Sequence, residues 1–446
     1  MKPPGLLRQW RSSDLPEPEV PRSANGSTAI ERWRALPRAQ RPPWPDRAEV
    51  DKVMRLLDSV PPIVTPAEVD LLRRQLGLVA EGRALVVRGG DRTESFATNT
   101  EAHLVANAGA LAQLAIPLAH CGPGPVVTVA RVAGLYARSV ASAVDPVGLP
   151  AYRGDLINAA EPTPAARVAD PHRMIQAYAH ASGATNILRV HLATGLANPY
   201  ALQRKSNELL DAMDAGWQYE ETAMEINRAM IFMQAYGIST EKATRTPPTL
   251  YISHEALALE YERPLVRVTR GRAYDLSAHF LWLGEDIAQL EGAHVDFLSR
   301  IANPVGVVLG PTVGPQYVLD LCDKLNPDNT AGRLTLICRM SGDETRELLP
   351  PIIEKVTAAG YRVVWQCDPM RGADADMGGS AGAFDRIADA VAAHFIVHRS
   401  LDTSAGGLQV ELDGDGDGPA ANHDPQLGPQ QSLELALLVA DMLRET

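Results

Sequence analysis

The sequence predicts an α/β protein, specifically a (β/α)8 TIM barrel with an N-terminal extension and an inserted helical pair. Two observations predict it: eight short apolar, β-rich runs end in polar clusters, and helical patterns lie between those runs. The active site of such a barrel forms at the carboxyl ends of its strands, so the residues after each run should carry the function. The runs begin at Leu85, Val126, Thr249, Phe280, Val305, Leu334, Val363 and Leu408.

Residues 1–80 are predicted to form the N-terminal extension. Nine prolines lie within residues 1–46 and prevent a continuous helix there. We therefore expect an arm that lies over another surface, most simply a second copy of the chain. Two amphipathic stretches, around 48–59 and 66–80, predict helices before the first strand.

Residues 81–446 are predicted to form the barrel, with a helical insertion at about 165–240. More than a hundred residues separate the second apolar run from the third, which is far more than one crossover requires. Within the insertion, apolar residues recur at three- and four-residue intervals over 219–236. That spacing indicates one apolar face of a helix.

Composition excludes several classes of function. The chain has 446 residues and a net charge of −12, without a dense run of Lys and Arg, so we expect neither nucleic-acid nor membrane binding. The four cysteines show no CxxC spacing, which predicts reduced thiols. No stretch matches an apolar leader or the roughly 18 apolar residues of a membrane span. The sequence therefore predicts a cytoplasmic location.

The strand ends and their flanks carry distinctive segments at 89–91, 129–134, 152–155, 253–257, 301–306, 365–370 and 430–436. In this order they resemble class II 3-deoxy-D-arabino-heptulosonate 7-phosphate (DAHP) synthases, from about Arg41 to Thr446. That family condenses phosphoenolpyruvate with erythrose 4-phosphate on a divalent metal. The resemblance implies the same barrel, a small anionic substrate and a homodimer or higher homo-oligomer.

The resemblance also implies four metal-ligand positions, and two of them hold arginine in this chain. Arg92 follows Gly89-Gly90-Asp91 where the family has Cys, and Arg371 follows Asp368-Pro369-Met370 where it has His. Only Glu411 and Asp424 match the remaining ligands. Because a guanidinium group has no lone pair to offer, we expect no metal cofactor. Salt bridges from the two arginines to the two carboxylates would replace the metal.

Substrate-binding positions implied by the resemblance are also mixed. Arg131 and Arg339 match the arginines that contact phosphoenolpyruvate, whereas Val308 stands in the place of a lysine. On the sugar-phosphate side, Arg138 remains in a shortened motif. Asp286 replaces an arginine there, and its negative charge would repel a phosphate.

The preferred interpretation is a DAHP-synthase-like enzyme retasked in aromatic or natural-product biosynthesis, independent of metal and acting on a carboxylate- or phosphate-bearing substrate. The alternatives are a non-catalytic regulatory partner of a related enzyme, and continued DAHP or amino-DAHP synthesis. The predicted substrate-binding residues are Arg92, Arg131, Arg138, Arg339 and Arg371. The predicted proton-transfer residues are Glu411, Asp424, His254 and Glu255.

Overall fold

A closed barrel of eight parallel strands forms the centre of the molecule. The computed structural model describes residues 29–212, 219–235, 250–372, 379–414 and 426–444. Around the barrel the strand order is β1, β2, β3, β6, β7, β8, β9 and β10, and the predicted (β/α)8 fold is confirmed. The strands are β1 Leu85–Gly90, β2 Val126–Arg131, β3 Tyr251–Glu255, β6 Phe280–Leu283, β7 Val305–Leu309, β8 Leu334–Cys338, β9 Val364–Cys367 and β10 Gly407–Glu411.

A small antiparallel hairpin, absent from the sequence prediction, lies between β3 and β6. It pairs β4 Val266–Thr269 with β5 Arg272–Asp275. Arg270 and Gly271 connect the two strands, and both have positive φ angles, 51° and 75°. A two-residue turn of this kind matches the twist of a hairpin. Strands of four residues are too short to show a clear alternating pattern, which is why the sequence did not reveal them.

Helices flank every strand of the barrel. Capping boxes mark where two of them begin: Thr65 and Glu68 form one, and Ser341 and Glu344 form the other. The helices are α1 Arg47–Ser59, α2 Pro66–Ala80, α3 Glu101–Cys121, α4 Arg173–Ala193, α5 Pro199–Asp211, α6 Glu220–Ala235, α7 Leu259–Leu265, α8 Ala293–Arg300, α9 Pro315–Leu325, α10 Gly342–Ala358, α11 Gly379–Ser400 and α12 Pro429–Arg444.

Alternate residues of each strand fill the inside of the barrel. Val129, Tyr251, Phe280 and Ile337 belong to one buried cluster there. The intervening residues point outward and pack against the helices, since successive side chains of a strand face opposite sides. This alternation decides which residues at the strand ends face the mouth of the barrel.

The helices before β1 and those between β2 and β3 occupy the regions predicted as extension and insertion. Ile116 of α3 packs with Leu202 of α5 and with Ile226 and Met230 of α6. The division into an extension, a barrel and an inserted element stays a prediction. By length and composition α3 alone among the described helices could cross a membrane, yet 61% of its apolar window is buried, and it packs against β1 and α12 as a barrel helix.

At the amino-terminal end of the barrel, Arg333 contacts the backbone of three segments: α8, the loop before β7 and the end of α9. Its guanidinium donates hydrogen bonds to the carbonyl oxygens of Leu298, Asn303 and Leu325. The side chain is buried, and burial lowers its pKa to about 9. This arginine therefore fixes the entry to β7 and β8.

We expect Arg333→Met to lower the free energy of unfolding by about 3 kcal/mol or more, because it leaves buried carbonyl groups without donors. Urea unfolding followed by circular dichroism measures the change. The matched control is Arg204→Met on the exposed face of α5, where a loss of about 0.5 kcal/mol at most is expected. Equal losses for the two variants would contradict the role assigned to Arg333.

Candidate active site at the carboxyl ends of the strands

Charged side chains from several strand ends meet at the mouth of the barrel. Gly90 of β1 is in register with Arg131 of β2 on one side and with Glu411 of β10 on the other. Arg339 and Asp368 directly follow β8 and β9, which are themselves paired. The barrel thus gathers arginines and carboxylates that are far apart in sequence.

Glu411 lies at the centre of this group and is only 1% exposed. Its Oε1 atom is 3.7 Å from Arg131 Nη2 and 3.6 Å from Arg339 Nη1. Its Oε2 atom is 4.0 Å from Arg92 Nε. Neither oxygen has a hydrogen-bond partner among the described residues. Burial raises the pKa of Glu411, and the nearby arginines oppose that shift.

Arg131 is held rigidly against the barrel wall. Its Nε donates to the carbonyl oxygen of Asp91 at 3.0 Å, and its Nη2 donates to that of Arg92 at 3.1 Å. The guanidinium also lies over the ring of Trp282, 5.1 Å from its centre. Backbone bonds and an aromatic face thus fix the charge of Arg131 beside Glu411.

Arg339 has more contact with solvent than Arg131. Its Nη1 donates to Asp368 Oδ2 at 3.3 Å, and its side chain is 21% exposed. Asp368 is buried, and it also accepts hydrogen bonds from Gln409 Nε2 at 2.6 Å and from the amide of Met370 at 3.1 Å. Asp368 therefore anchors Arg339 at the rim while its own charge is well compensated.

Glu255 is the acid at the mouth that is best suited to proton transfer. The amide of Gly284 donates to its Oε1 at 3.0 Å. Burial and the charge of Asp286 raise the pKa of Glu255 to about 7, against the opposing effect of Arg131 and Arg339. A carboxyl group with this pKa can both donate and accept a proton near neutral pH.

The prediction that His254 serves the mouth of the barrel is wrong. His254 is completely buried on the outer side of β3, where its Nε2 is 3.0 Å from Glu262 Oε1. Because neighbouring residues of a strand face opposite sides, Glu255 faces inward and His254 faces the helices. His254 therefore cannot reach a substrate held between the arginines.

The prediction that Arg371 bridges to Glu411 is also wrong. Its Nε lies 3.1 Å from Glu344 Oε2, and its side chain is 43% exposed. Glu344 is held in place by the capping box of α10, which draws the guanidinium away from Glu411. The other predicted carboxylate, Asp424, lies outside the described residues.

Arg138 contacts a neighbouring loop. Its Nε donates to the carbonyl oxygen of Tyr152 at 3.2 Å, and its guanidinium lies 5.2 Å from the centre of the same ring. These contacts occupy one edge and one face of the guanidinium. A role for Arg138 in substrate binding stays a prediction.

The sequence analysis missed a network of buried polar groups that supports the mouth. The Glu94 carboxylate accepts hydrogen bonds from three consecutive amides, 133–135, and burial raises its pKa to about 7. Asp91 lies 2.9 Å from His103 Nε2 and accepts a 2.7 Å bond from Asn107. The sequence motif included Asp91 but not Glu94, and the partners of both residues are visible only in the fold.

The described residues do not fit the divalent metal implied by the resemblance. Among them, no group of three or more His, Cys, Asp and Glu side chains could hold an ion. Three guanidinium groups lie within 4.0 Å of Glu411, and their charge opposes a cation at that carboxylate. Asp91, the nearest acid in sequence to Arg92, is already engaged by His103 and Asn107.

A parallel barrel with arginines and carboxylates at its strand ends is the architecture of an enzyme for small molecules. Residues 28–418 match the model of the class-II DAHP synthetase family. A relative from Mycolicibacterium smegmatis, phospho-2-dehydro-3-deoxyheptonate aldolase AroG, is 44% identical over 92% of this chain and 94% of its own length. The chain belongs to the class-II DAHP synthetase family.

Two further likenesses accompany these matches. Phospho-2-dehydro-3-deoxyheptonate aldolase from Streptomyces coelicolor is 39% identical over 93% of this chain and 97% of its own length. A solved structure of the aldolase of that name from Francisella tularensis covers 96% of this chain and 99% of its own, with 11% identity and a TM-score of 0.40. The latter likeness is too weak to add to the argument.

The raised pKa of Glu255 leads to a prediction about stability and pH. The folded protein binds the proton of the Glu255 carboxyl more tightly than the unfolded chain does. The resulting contribution to the free energy of unfolding is complete below the ordinary pKa of 4.5 and is lost as the pH rises through about 7. The free energy of unfolding of the wild-type protein should therefore fall by roughly 1 kcal/mol, relative to that of Glu255→Gln, between about pH 6 and about pH 8. Urea unfolding of both proteins at each pH measures this difference.

The raised pKa of Glu94 arises from burial and the charge of Asp91, opposed by backbone amides, and not from Glu255, so its contribution should cancel in that comparison. Parallel stability curves for wild type and Glu255→Gln would show that Glu255 titrates in its ordinary range. That result would remove the basis for assigning it proton transfer.

Proposed function

We propose that this chain is an enzyme of the DAHP synthase family that binds a carboxylate- or phosphate-bearing substrate at the barrel mouth without a divalent metal. The observation that supports it most is that Arg131 and Arg339 both approach Glu411 Oε1, at 3.7 and 3.6 Å, where they supply positive charge. A retasked role in cytoplasmic aromatic or natural-product biosynthesis is part of the proposal.

Arg131 and Arg339 would contribute to substrate binding in different ways. Arg131 is locked by two backbone carbonyl groups and a ring face, so its charge is already in place before the substrate arrives. Arg339 is partly exposed and donates to Asp368 at 3.3 Å, so its guanidinium meets solvent at the mouth, where an incoming anion would contact it. Paired donors of this kind suit a carboxylate or a phosphate.

Glu255 would transfer the proton that the reaction requires. It faces the mouth, and its pKa of about 7 allows both protonation states near neutral pH. Glu411 is less suited to that task because it is enclosed by arginines and nearly without solvent contact. In this proposal Glu411 instead balances the charge of the arginines when no substrate is present.

Metal-dependent DAHP synthesis is the second candidate, and the identity of 44% to the Mycolicibacterium smegmatis aldolase favours it. It would require an ion at Glu411 and Asp424, with Arg92 displaced from its present position 4.0 Å from Glu411. No comparable observation favours a non-catalytic partner. A protein without a substrate has no reason to keep an unbonded carboxylate buried, since that burial costs stability.

One assay separates the two candidates. Turnover of phosphoenolpyruvate with erythrose 4-phosphate, followed as phosphate release, is measured with added Mn²⁺ and again with EDTA. The proposal predicts that Mn²⁺ produces no turnover beyond that in EDTA. Turnover that depends on Mn²⁺ would establish the second candidate in place of the first.

A pair of arginine variants tests the binding residues. With phosphoenolpyruvate as the probe and EDTA present, Arg339→Ala should weaken binding at least about tenfold, because a charge-assisted contact is lost. Arg371→Ala is the matched control: this arginine pairs with Glu344 on the outside, so a change of about twofold at most is expected. Isothermal titration calorimetry gives both affinities, and equal effects of the two substitutions would contradict the assignment of Arg339.

A further inference from the structure

A buried cation lies beneath the mouth, below the contacts of Arg131 and Arg339 with Glu411. Arg88, in the middle of β1, is 1% exposed and is among the largest fully buried side chains. None of its three guanidinium nitrogens has a hydrogen-bond partner in the described parts of the chain. Its neighbours are two aromatic faces: the guanidinium carbon lies 4.9 Å from the ring centre of Phe280 and 4.5 Å from that of Trp282.

This arrangement is costly for the fold. A guanidinium group remains protonated in proteins, and its removal from water is not offset here by a paired carboxylate or by hydrogen bonds. Contact with two ring faces returns part of that cost. An apolar side chain of similar length would fill the same space without it, so the positive charge itself calls for an explanation.

Arg88 lies directly below the charged groups of the mouth. In β1 it is two residues before Gly90, the position that is in register with Arg131 and Glu411. Trp282 connects the two levels, because both Arg88 and Arg131 lie against its ring, at 4.5 Å and 5.1 Å from its centre. The charge of Arg88 therefore acts on the same space as the charges above it.

Within the described residues, the charge of Arg88 adds to the charges of Arg131 and Arg339. Asp368 and Glu411 are the acids that these two arginines contact, and neither forms an ion pair with Arg88 among the described contacts.

We propose that Arg88 is a specificity-determining residue that does not touch the substrate: its buried charge makes the mouth select ligands by their negative charge. The inference rests on the proposed function, since it concerns the same site. It extends that function by assigning to Arg88, and not only to the arginines at the mouth, the preference for the more highly charged of two related ligands. In the barrel interior, where the dielectric constant is low, the fixed positive charge of Arg88 attracts each additional negative charge of the ligand.

The test compares two probes of different charge, pyruvate and phosphoenolpyruvate, by isothermal titration calorimetry in EDTA. Arg88→Met should weaken phosphoenolpyruvate binding about tenfold or more and pyruvate binding about threefold at most. Arg88→Gln should give the same graded loss, because both substitutions remove the charge. The matched control is Ile337→Met, a buried residue of the same barrel interior, which should leave both affinities within about twofold.

Thermal unfolding of the same variants separates charge from packing. Since an unpaired buried cation is removed, the midpoint of Arg88→Met should rise or stay unchanged. A lower midpoint with unchanged affinities, or equal losses for the two probes, would overturn the inference and leave the proposed function intact. If wild type binds neither probe, the proposed function fails and this inference fails with it.

Discussion

The structure depends on one electrostatic constraint: within the described parts of the chain, the Glu411 carboxylate is buried without a hydrogen bond and is stabilised by nearby guanidinium groups. Burying an ion costs several kcal/mol, whereas a pair of opposite charges 4 Å apart recovers about 4 kcal/mol at the effective dielectric constant of a protein. Two pairs at 3.6 and 3.7 Å can therefore support Glu411. They do so only while Arg131 and Arg339 stay in position.

That requirement explains the polar network around the mouth. Arg131 needs the carbonyl oxygens of Asp91 and Arg92, and Asp91 is itself fixed by contacts with α3. Arg339 needs Asp368, which is held by Gln409 and by a backbone amide. The charged groups of the site are thus held by hydrogen bonds to the barrel strands and the residues that follow them. A substrate could replace Glu411 as the partner of Arg131 and Arg339 without a change in the barrel.

Much of this could be predicted from the sequence, and the failures have physical reasons. Continuous apolar runs located the eight strands, because a parallel strand is buried on both faces. The runs did not show which alternate residues face inward, so His254 and Glu255 were both assigned to the mouth. Arg371 was misplaced because its partner, Glu344, lies at the start of a helix 27 residues earlier, and only the folded chain brings them together.

Sequence identity favours one of the two candidate functions, and the chemistry of the site favours the other. Identity of 44% over most of the chain supports the family reaction, while three arginines around Glu411 oppose the metal on which that reaction depends. Since a fold hosts many activities, the charges of the site should decide. The most direct measurement is Mn²⁺ binding to the purified full chain at equilibrium. We expect no stoichiometric Mn²⁺, and one tightly bound Mn²⁺ per chain would contradict a site that works without a metal.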